Sequence, residues 1–302
     1  MRITHTMLTD RLLGDLRTGK DRIAEAQQQV STGRRINRPS DDPAGARAAV
    51  VQRADLAGLA RQKDAVAEAN DWTDATDTAL GGLADLLHRA RELATQGANG
   101  SYTQADRERI AGEIDQLVEA AKERANAKVG DRYVLSGTAT TTRPYTPGGP
   151  DTYGGDTGAV LREIGPGVTV QVNQLGSQIL GSGQTPGDGL MLDTLRDVAQ
   201  HLRGGTTADL AALRGADLQG LQANLDTIST ARSANGATAA RLASAATSLG
   251  DLELAGQTRL DRLEGADMAQ AILALSTRQS AYEAALKSGA TVIQPSLMDF
   301  LR

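Results

Sequence analysis

Residues 31–49 read STGRRINRPSDDPAGARAA, and a helical pattern both enters and leaves them. Gly33 lets a helix end, because a residue without Cβ reaches the left-handed conformation of a helix C-terminus without strain. Pro39 turns Arg38 away from helical angles. Asp42 then stands where an N-cap belongs, Pro43 takes the first helical position, where its missing N–H is not needed, and residues 44–49 resume the helix. A catalytic reading competes for the same residues, since paired carboxylates beside arginines and a serine suggest the corner of an active site. An acid pair needs groups held in a cleft with one pKa raised, whereas adjacent residues on a backbone usually point in different directions. The physics predicts a joint between two helices, rimmed by Arg34, Arg35 and Arg38.

On the N-terminal side of this joint an apolar stripe runs Ile3, Met7, Leu12, Leu16, Ile23, Val30, close to a helical period. On the other side a second stripe runs Val50, Ala54, Ala57, Val66, Ala69, Trp72, Leu80, Leu83, Leu87 and ends at the turn signal GANGS, residues 97–101. Thr103 and Asp106 form a cap-like pair before Ile110, Ile114, Leu117, Ala121 and Ala125, a third helix expected to stop near Gly130. Helix returns at residues 190–201, breaks at Gly204-Gly205 and restarts with Thr206 and Asp209. From Leu210 through Leu213, Leu221, Leu225, Ile228, Leu242, Leu249, Leu252, Leu260 and Leu263 the pattern scarcely stops, which predicts one or two very long helices held by other helices.

Residues 136–189 differ in kind. They hold 13 of the 33 glycines and five of the eight prolines, which no long helix tolerates. Val168, Val170 and Val172 alternate with polar residues, and Gly165-Pro166-Gly167 separates them from residues 159–164, so a β-hairpin is expected inside a turn-rich insert. A unit this small buries little alone and is expected to lean on the helical body. The resulting division is 1–43 with 255–302 as a terminal coiled-coil domain, 44–135 with 190–254 as a helical bundle, and 136–189 as a β-rich insert.

Only 2% of the 302 residues are aromatic, so the core must come from Ala, Leu, Val and Ile, which suits helices packed closely along their length. The fold class read from these patterns is mainly α, an elongated rod of long antiparallel helices carrying a small β insert. The net charge is −5 and basic residues are interspersed with acidic ones, so no basic stripe awaits nucleic acid. No run reaches the roughly 18 apolar residues of a membrane span, so no membrane insertion is expected. The N-terminus lacks the features of a cleaved secretory signal. The chain has no cysteine, which excludes disulfides and thiolate chemistry.

No catalytic, cofactor or metal site is expected. His5, His88 and His201 have no second ligand at a metal-binding helical spacing and read as solvated helix residues. Gly181-x-Gly183 meets Pro186 where a dinucleotide loop needs its third glycine. The glycines around Asp151 and Asp156 lack the spacing of a calcium site and read as ordinary turns. Asn99-Gly100-Ser101 fits a glycosylation acceptor formally, and a helix-to-helix turn explains it without sugar.

Residues 31–49 resemble the N-terminal motif shared by flagellins and hook-associated proteins of the bacterial flagellum. Ser31, Gly33, Arg35, Ile36 and Asn37 carry its Ser-x-Gly-x-Arg-Ile-Asn pattern, and Asp41 and Asp42 its paired aspartates. The version Pro39, Ser40, Asp41, Asp42, Pro43 looks like that of the hook-filament junction proteins (hook-associated protein 3), where common flagellins more often carry Ala at the position of Pro43. RYVLSG at 132–137, the segment 153–172 and SLMDFL at 296–301 are also similar to that branch.

The resemblance implies a structural protein of the motility apparatus, exported unfolded by the flagellar export apparatus with an export chaperone. It would assemble as an adaptor ring between a hook-associated protein and flagellin at the hook-filament junction. It also implies terminal helices paired as a coiled coil. The residues themselves agree that both ends need partners: Leu12, Leu16, Ile23, Val30, Leu263, Ile272, Leu275, Leu297, Phe300 and Leu301 are the expected packing residues. Two alternatives stay open, a flagellin subunit of the filament itself and a cytoplasmic coiled-coil signalling or scaffold protein.

Overall fold

The computed structural model describes residues 5–165, 167–182 and 187–293. Among the described residues eight α-helices and two short hairpins follow one another: α1 (His5–Thr32), α2 (Pro43–Gly97), α3 (Gln104–Ala125), β1 (Lys128–Val129), β2 (Arg132–Tyr133), β3 (Leu161–Gly165), β4 (Val168–Gln171), α4 (Gly176–Ile179), α5 (Met191–Gly204), α6 (Thr207–Ala212), α7 (Leu218–Glu264) and α8 (Met268–Ile293), with a π-helical turn (Leu213–Asp217) between α6 and α7. The expected mainly α fold with a small β insert is present. Two compact units divide the chain, Met1–Leu59 with Asp251–Arg302, and Ala60–Gly250.

Local chemistry sets several helix boundaries. At α3 the Thr103 side chain accepts from the Asp106 amide while the Asp106 carboxylate accepts from the Thr103 amide, and Thr206 with Asp209 repeats this box at α6. α5 ends at Gly205, whose φ is +61°. The carbonyls orphaned at the end of α2 are taken by arginines from elsewhere: Arg107 Nε donates to Gly97 O at 3.0 Å and Arg214 Nη2 to Ala98 O at 2.8 Å. The third helix stops at Ala125 instead of near Gly130, and β1 and β2 form a tight hairpin around Gly130 (φ +60°).

The unit formed by Ala60–Gly250 holds the main core. Val66, Ala69, Trp72, Leu80, Leu83 and Leu87 of α2 are buried, as are Ile110, Ile114 and Val118 of α3, Leu192, Leu195 and Val198 of α5, and Leu221, Leu225, Ile228, Leu242 and Leu249 of α7. The helical period read along the chain therefore describes real burial in this unit. The hairpin of β3 and β4 pairs antiparallel with Arg162 opposite Val170, and a register shift falls between Glu163 and Gly165.

The insert leans on the helices, as a unit of its size must. Val134, Leu135, Tyr145, Val172, Ile179 and Leu180 are buried. Asn126 Nδ2 donates to Tyr145 O at 2.8 Å, and its Oδ1 accepts from Tyr145 N at 3.1 Å. An ion cluster completes the attachment. Lys122 on α3 is fully buried, with its Nζ 2.7 Å from Asp151, 3.0 Å from Glu119 and 2.8 Å from Gly149 O. Arg196 of α5 pairs with the same Asp151. Asp151 is thus an anchor, not the ordinary turn residue its glycine-rich surroundings suggest.

His201 also departs from expectation. Its Nδ1 lies 2.8 Å from Asp217 Oδ2 on the π-helical turn, with 28% of the side chain exposed. It is a half-buried partner of a buried carboxylate, not a solvated residue. The sequence separation between α5 and the π-helical turn concealed this pairing.

The unit formed by Met1–Leu59 with Asp251–Arg302 behaves differently. α1 packs against α8, and small residues allow close approach: Gly19 faces Tyr282, and Gly289 faces Leu12. Arg278 Nη1 donates to Arg22 O at 2.8 Å. Leu12, Leu16, Ile23, Val30, Leu263 and Leu275 are half-buried, whereas Ile272 is 54% exposed. Leu297, Phe300 and Leu301 lie outside the described residues. The stripe assigned to the start of α2 is wrong by about one position. Val50 is 61% exposed, while Ala49 and Gln52 carry the buried face.

Candidate functional site

The segment 31–43 forms the joint, and its geometry follows from local hydrogen bonding. α1 ends at Thr32, and Gly33 (φ +68°) turns the chain while its N–H donates to Gln29 O at 2.9 Å. Asn37 braces the turn by donating from Nδ2 to Arg34 O at 2.8 Å and accepting from Thr32 Oγ1 at 2.8 Å. Ile36 is buried and pins the loop. Ser31, Arg35, Pro39, Ser40 and Pro43 are exposed, with Arg34 and Arg38 beside them. They form the outer rim of the joint.

The two aspartates have separate structural tasks. Asp41 Oδ2 accepts from Asn37 N at 3.0 Å and Arg38 N at 2.8 Å. Asp42 Oδ1 accepts from Gly45 N at 2.9 Å, which makes it the N-cap of α2, and Arg35 stands 3.4 Å from its Oδ2. Backbone amides of Arg38 and Asn37 hold the Asp41 carboxyl below its ordinary pKa. The Gly45 amide does the same for Asp42, with Arg35 adding to it. A general acid needs the opposite shift, so these carboxylates are built to stay ionised, Asp41 bracing the loop and Asp42 capping α2.

The joint does not stand alone. A second break, Glu264 to Asp267, separates α7 from α8, and the two breaks pair through a short antiparallel bridge between Arg34 and Gly265. Arg35 N donates to Glu264 O at 2.6 Å and Ala266 N to Gly33 O at 2.9 Å. Arg35 Nη2 reaches Leu263 O at 3.0 Å. The Glu264 side chain is 5% exposed and is held by Arg53 at 2.6 Å and Arg34 at 3.7 Å. Asp267 caps α8 through Ala269 N and Gln270 N, at 3.0 and 3.1 Å. The long leucine pattern hid this second break, although Gly265 followed by Asp267 is the same stop-and-start punctuation as Gly33 and Asp42.

Beside the joint lies a polar cavity of about 530 Å³, lined by Thr18, Asp21, Arg22, Glu25, Arg38 and Asp41 among others. Among the described residues no group of three or more His, Asp or Glu side chains could hold a metal, and no helix is long and apolar enough to cross a membrane. Most of the large apolar side chains exposed in the described residues sit in the same unit as the joint: Val50, Val51, Leu252, Leu254, Met268, Ile272 and Leu273. What the arrangement offers is a hydrogen-bonded corner between helices in a unit that exposes much apolar side-chain surface.

Comparison with known proteins places this corner in a family context. Residues 3–140 match the family described as the bacterial flagellin N-terminal helical region. The flagellar filament 30.7 kDa core protein of Treponema maltophilum is 32% identical over 114 residues, which cover 38% of this chain and 39% of that protein. The flagellar filament 41 kDa core protein of Borreliella burgdorferi is 34% identical over 115 residues, 38% of this chain and 34% of that protein. The chain thus matches well under half the length of these curated relatives.

Among solved structures, Bacillus cereus FlgL is similar with a TM-score of 0.58 and 24% identity, covering 70% of this chain and 99% of that one. The flagellar hook associated protein-3 of Legionella pneumophila gives a TM-score of 0.60 at 16% identity, over 70% of this chain and 98% of that one. At these identities the structural likeness establishes the fold.

Proposed function

Starting from a chain that is flagellin-like in its N-terminal region and in its fold, we propose that it is a structural component of the bacterial flagellum, an adaptor ring at the hook-filament junction. The observation that supports this reading most is the near-complete coverage of FlgL and hook associated protein-3 chains by this fold, joined to the Pro-Ser-Asp-Asp-Pro corner. Its partners are copies of itself, a hook-associated protein on one side and flagellin on the other. It reaches that place as a secreted protein, through the flagellar export apparatus with an export chaperone. The role is structural and not enzymatic.

In this reading the exposed apolar side chains of α1, α8, the start of α2 and the end of α7 are covered by neighbouring subunits, and residues 31–43 set the angle at which the chain enters the ring. Ser31, Gly33, Arg35, Ile36, Asn37, Pro39, Ser40, Asp41, Asp42 and Pro43 are then assembly residues, with Leu12, Leu16, Ile23, Val30, Leu263, Ile272, Leu275, Leu297, Phe300 and Leu301 as terminal packing residues. The three-part division at 1–43 with 255–302, 44–135 with 190–254, and 136–189 belongs to the same proposal.

The test is deletion of the gene followed by electron microscopy and assay of the medium. Hooks without filaments, with flagellin accumulating outside the cell, are expected. Filaments of normal length and number would overturn the proposal. The specific competitor is a filament flagellin, favoured by the curated relatives being filament proteins. Polymerisation of the purified chain alone into long filaments would select it.

A further inference from the structure

The chain contains two Asn-Gly dipeptides, Asn99-Gly100 and Asn235-Gly236, and the fold gives them opposite chemical settings. Asn99 and Gly100 are exposed in the turn between α2 and α3. A Cβ at Gly100 would meet nothing within 4 Å, so the space beside that peptide is open. Asn99 Oδ1 accepts from Ser101 N at 3.0 Å, which folds the carboxamide back over the Gly100 peptide unit. Asn235 is 3% exposed inside α7, and its Nδ2 donates to Thr73 O at 2.8 Å. Helical hydrogen bonding directs the Gly236 N–H along the helix axis, away from the Asn235 carboxamide.

We propose that Asn99 is a site of spontaneous covalent modification, converting through a cyclic imide to aspartate and isoaspartate, with the Ser101 amide stabilising the oxyanion of the ring-closing step. The Gly100 nitrogen, having lost its proton to solvent base, attacks Asn99 Cγ. The new N–Cγ bond drives charge onto Oδ1, where the Ser101 N–H already points at a distance suited to an oxyanion donor. Collapse breaks the Cγ–Nδ2 bond, the departing nitrogen takes a proton back from the protonated solvent base, and ammonia is released. Water then opens either carbonyl of the imide, giving aspartate or isoaspartate, so the balance is asparagine plus water to acid plus ammonia.

The product adds a negative charge to the turn. In the isoaspartate form the main chain runs through the former side-chain carbon. That displaces the Asn99 carbonyl, which accepts from Tyr102 N at 3.3 Å and Arg107 Nη2 at 3.3 Å. Helix α3 keeps its own capping box at Thr103 and Asp106, so the change stays in the turn.

The experiment ages the full chain in mildly alkaline buffer, natively and in concentrated urea, and follows both peptides by mass spectrometry with isoaspartate labelling. In the native chain Asn99 is expected to convert about tenfold or more faster than Asn235, because the latter must wait for α7 to open locally, and a factor of ten corresponds to only about 1.4 kcal/mol of opening. The difference should vanish in urea. Gly100→Ala, which the open surroundings accommodate, should abolish the Asn99 lead. Equal native rates for the two sites, or native Asn99 reacting more slowly than unfolded Asn99, would overturn the proposal.

Discussion

Replacing Lys122 by methionine removes a buried cation from the middle of the cluster that ties the insert to α3 and α5. All three ammonium protons are engaged, by Asp151 at 2.7 Å, Glu119 at 3.0 Å and Gly149 O at 2.8 Å. Breaking a buried ion pair from one side typically destabilises by about 3–5 kcal/mol, because the other charge is left uncompensated. Here Asp151 keeps Arg196, and the Glu119 side chain is 38% exposed, so the expected loss is about 2–3 kcal/mol.

Trp72 is the only tryptophan and is buried in the unit concerned. Its fluorescence during urea unfolding therefore reports that unit. The midpoint should fall by roughly 1 M with an unchanged slope. The double variant Lys122→Met with Asp151→Asn should lose less than the sum of the two singles. A midpoint within experimental error of the parent would refute the argument that the cluster holds the insert.

The same cluster fixes the sign of the pH dependence. Burial pushes the carboxyls of Asp151 and Glu119 upward. For Asp151 this is outweighed by hydrogen bonds from Arg196 and Lys122, and for Glu119 by those from Gly148 and Lys122, so both lie below their ordinary values. A carboxylate whose folded pKa is depressed contributes stability that is complete above its unfolded pKa. That contribution is lost as pH falls through the folded value, so it fades below about pH 4. Lys122→Met should flatten this acid limb in a stability-against-pH series.

Three further substitutions probe the fold and the joint. Gly97→Ala places a methyl against the buried side chain of Leu202; overpacking should lower stability by about 1–3 kcal/mol in the same urea assay, and a neutral result would mean that Leu202 has room to move. Asp42→Ala removes the cap on Gly45 N and should loosen the first turn of α2, seen as faster amide exchange at Gly45 and Ala46. Unchanged exchange there would deny Asp42 its role. Gly33→Ala forces a Cβ into a φ of +68° and should destabilise the joint by about 1 kcal/mol, with less loss for Gly33→Asn, which tolerates that conformation better.

Legibility in the sequence followed the range of the interaction. The stop at Gly33, the cap at Asp42, the boxes at Thr103 and Thr206 and the hairpin around residues 165–167 could all be read, because each is made by groups a few residues apart. The joint was therefore visible as a joint. Its partner was not. The bridge from Arg34 to Gly265 and the grip of Arg53 and Arg34 on Glu264 join segments more than two hundred positions apart, and a glycine inside a leucine pattern does not announce which distant loop it will meet.

By itself the sequence determined the helical class, the turn-rich insert and the local punctuation, since propensity, capping and periodicity act within a few turns of chain. Tertiary structure alone decided which apolar stripes become core. The period that buries Leu80, Leu83 and Leu87 looks no different on paper from the one that leaves Val50 and Ile272 in solvent. Burial depends on whether another helix arrives on that face, and no local pattern carries that information. The same holds for Asp151, whose glycine-rich surroundings suggested an ordinary turn until Lys122 of α3 and Arg196 of α5 closed on it.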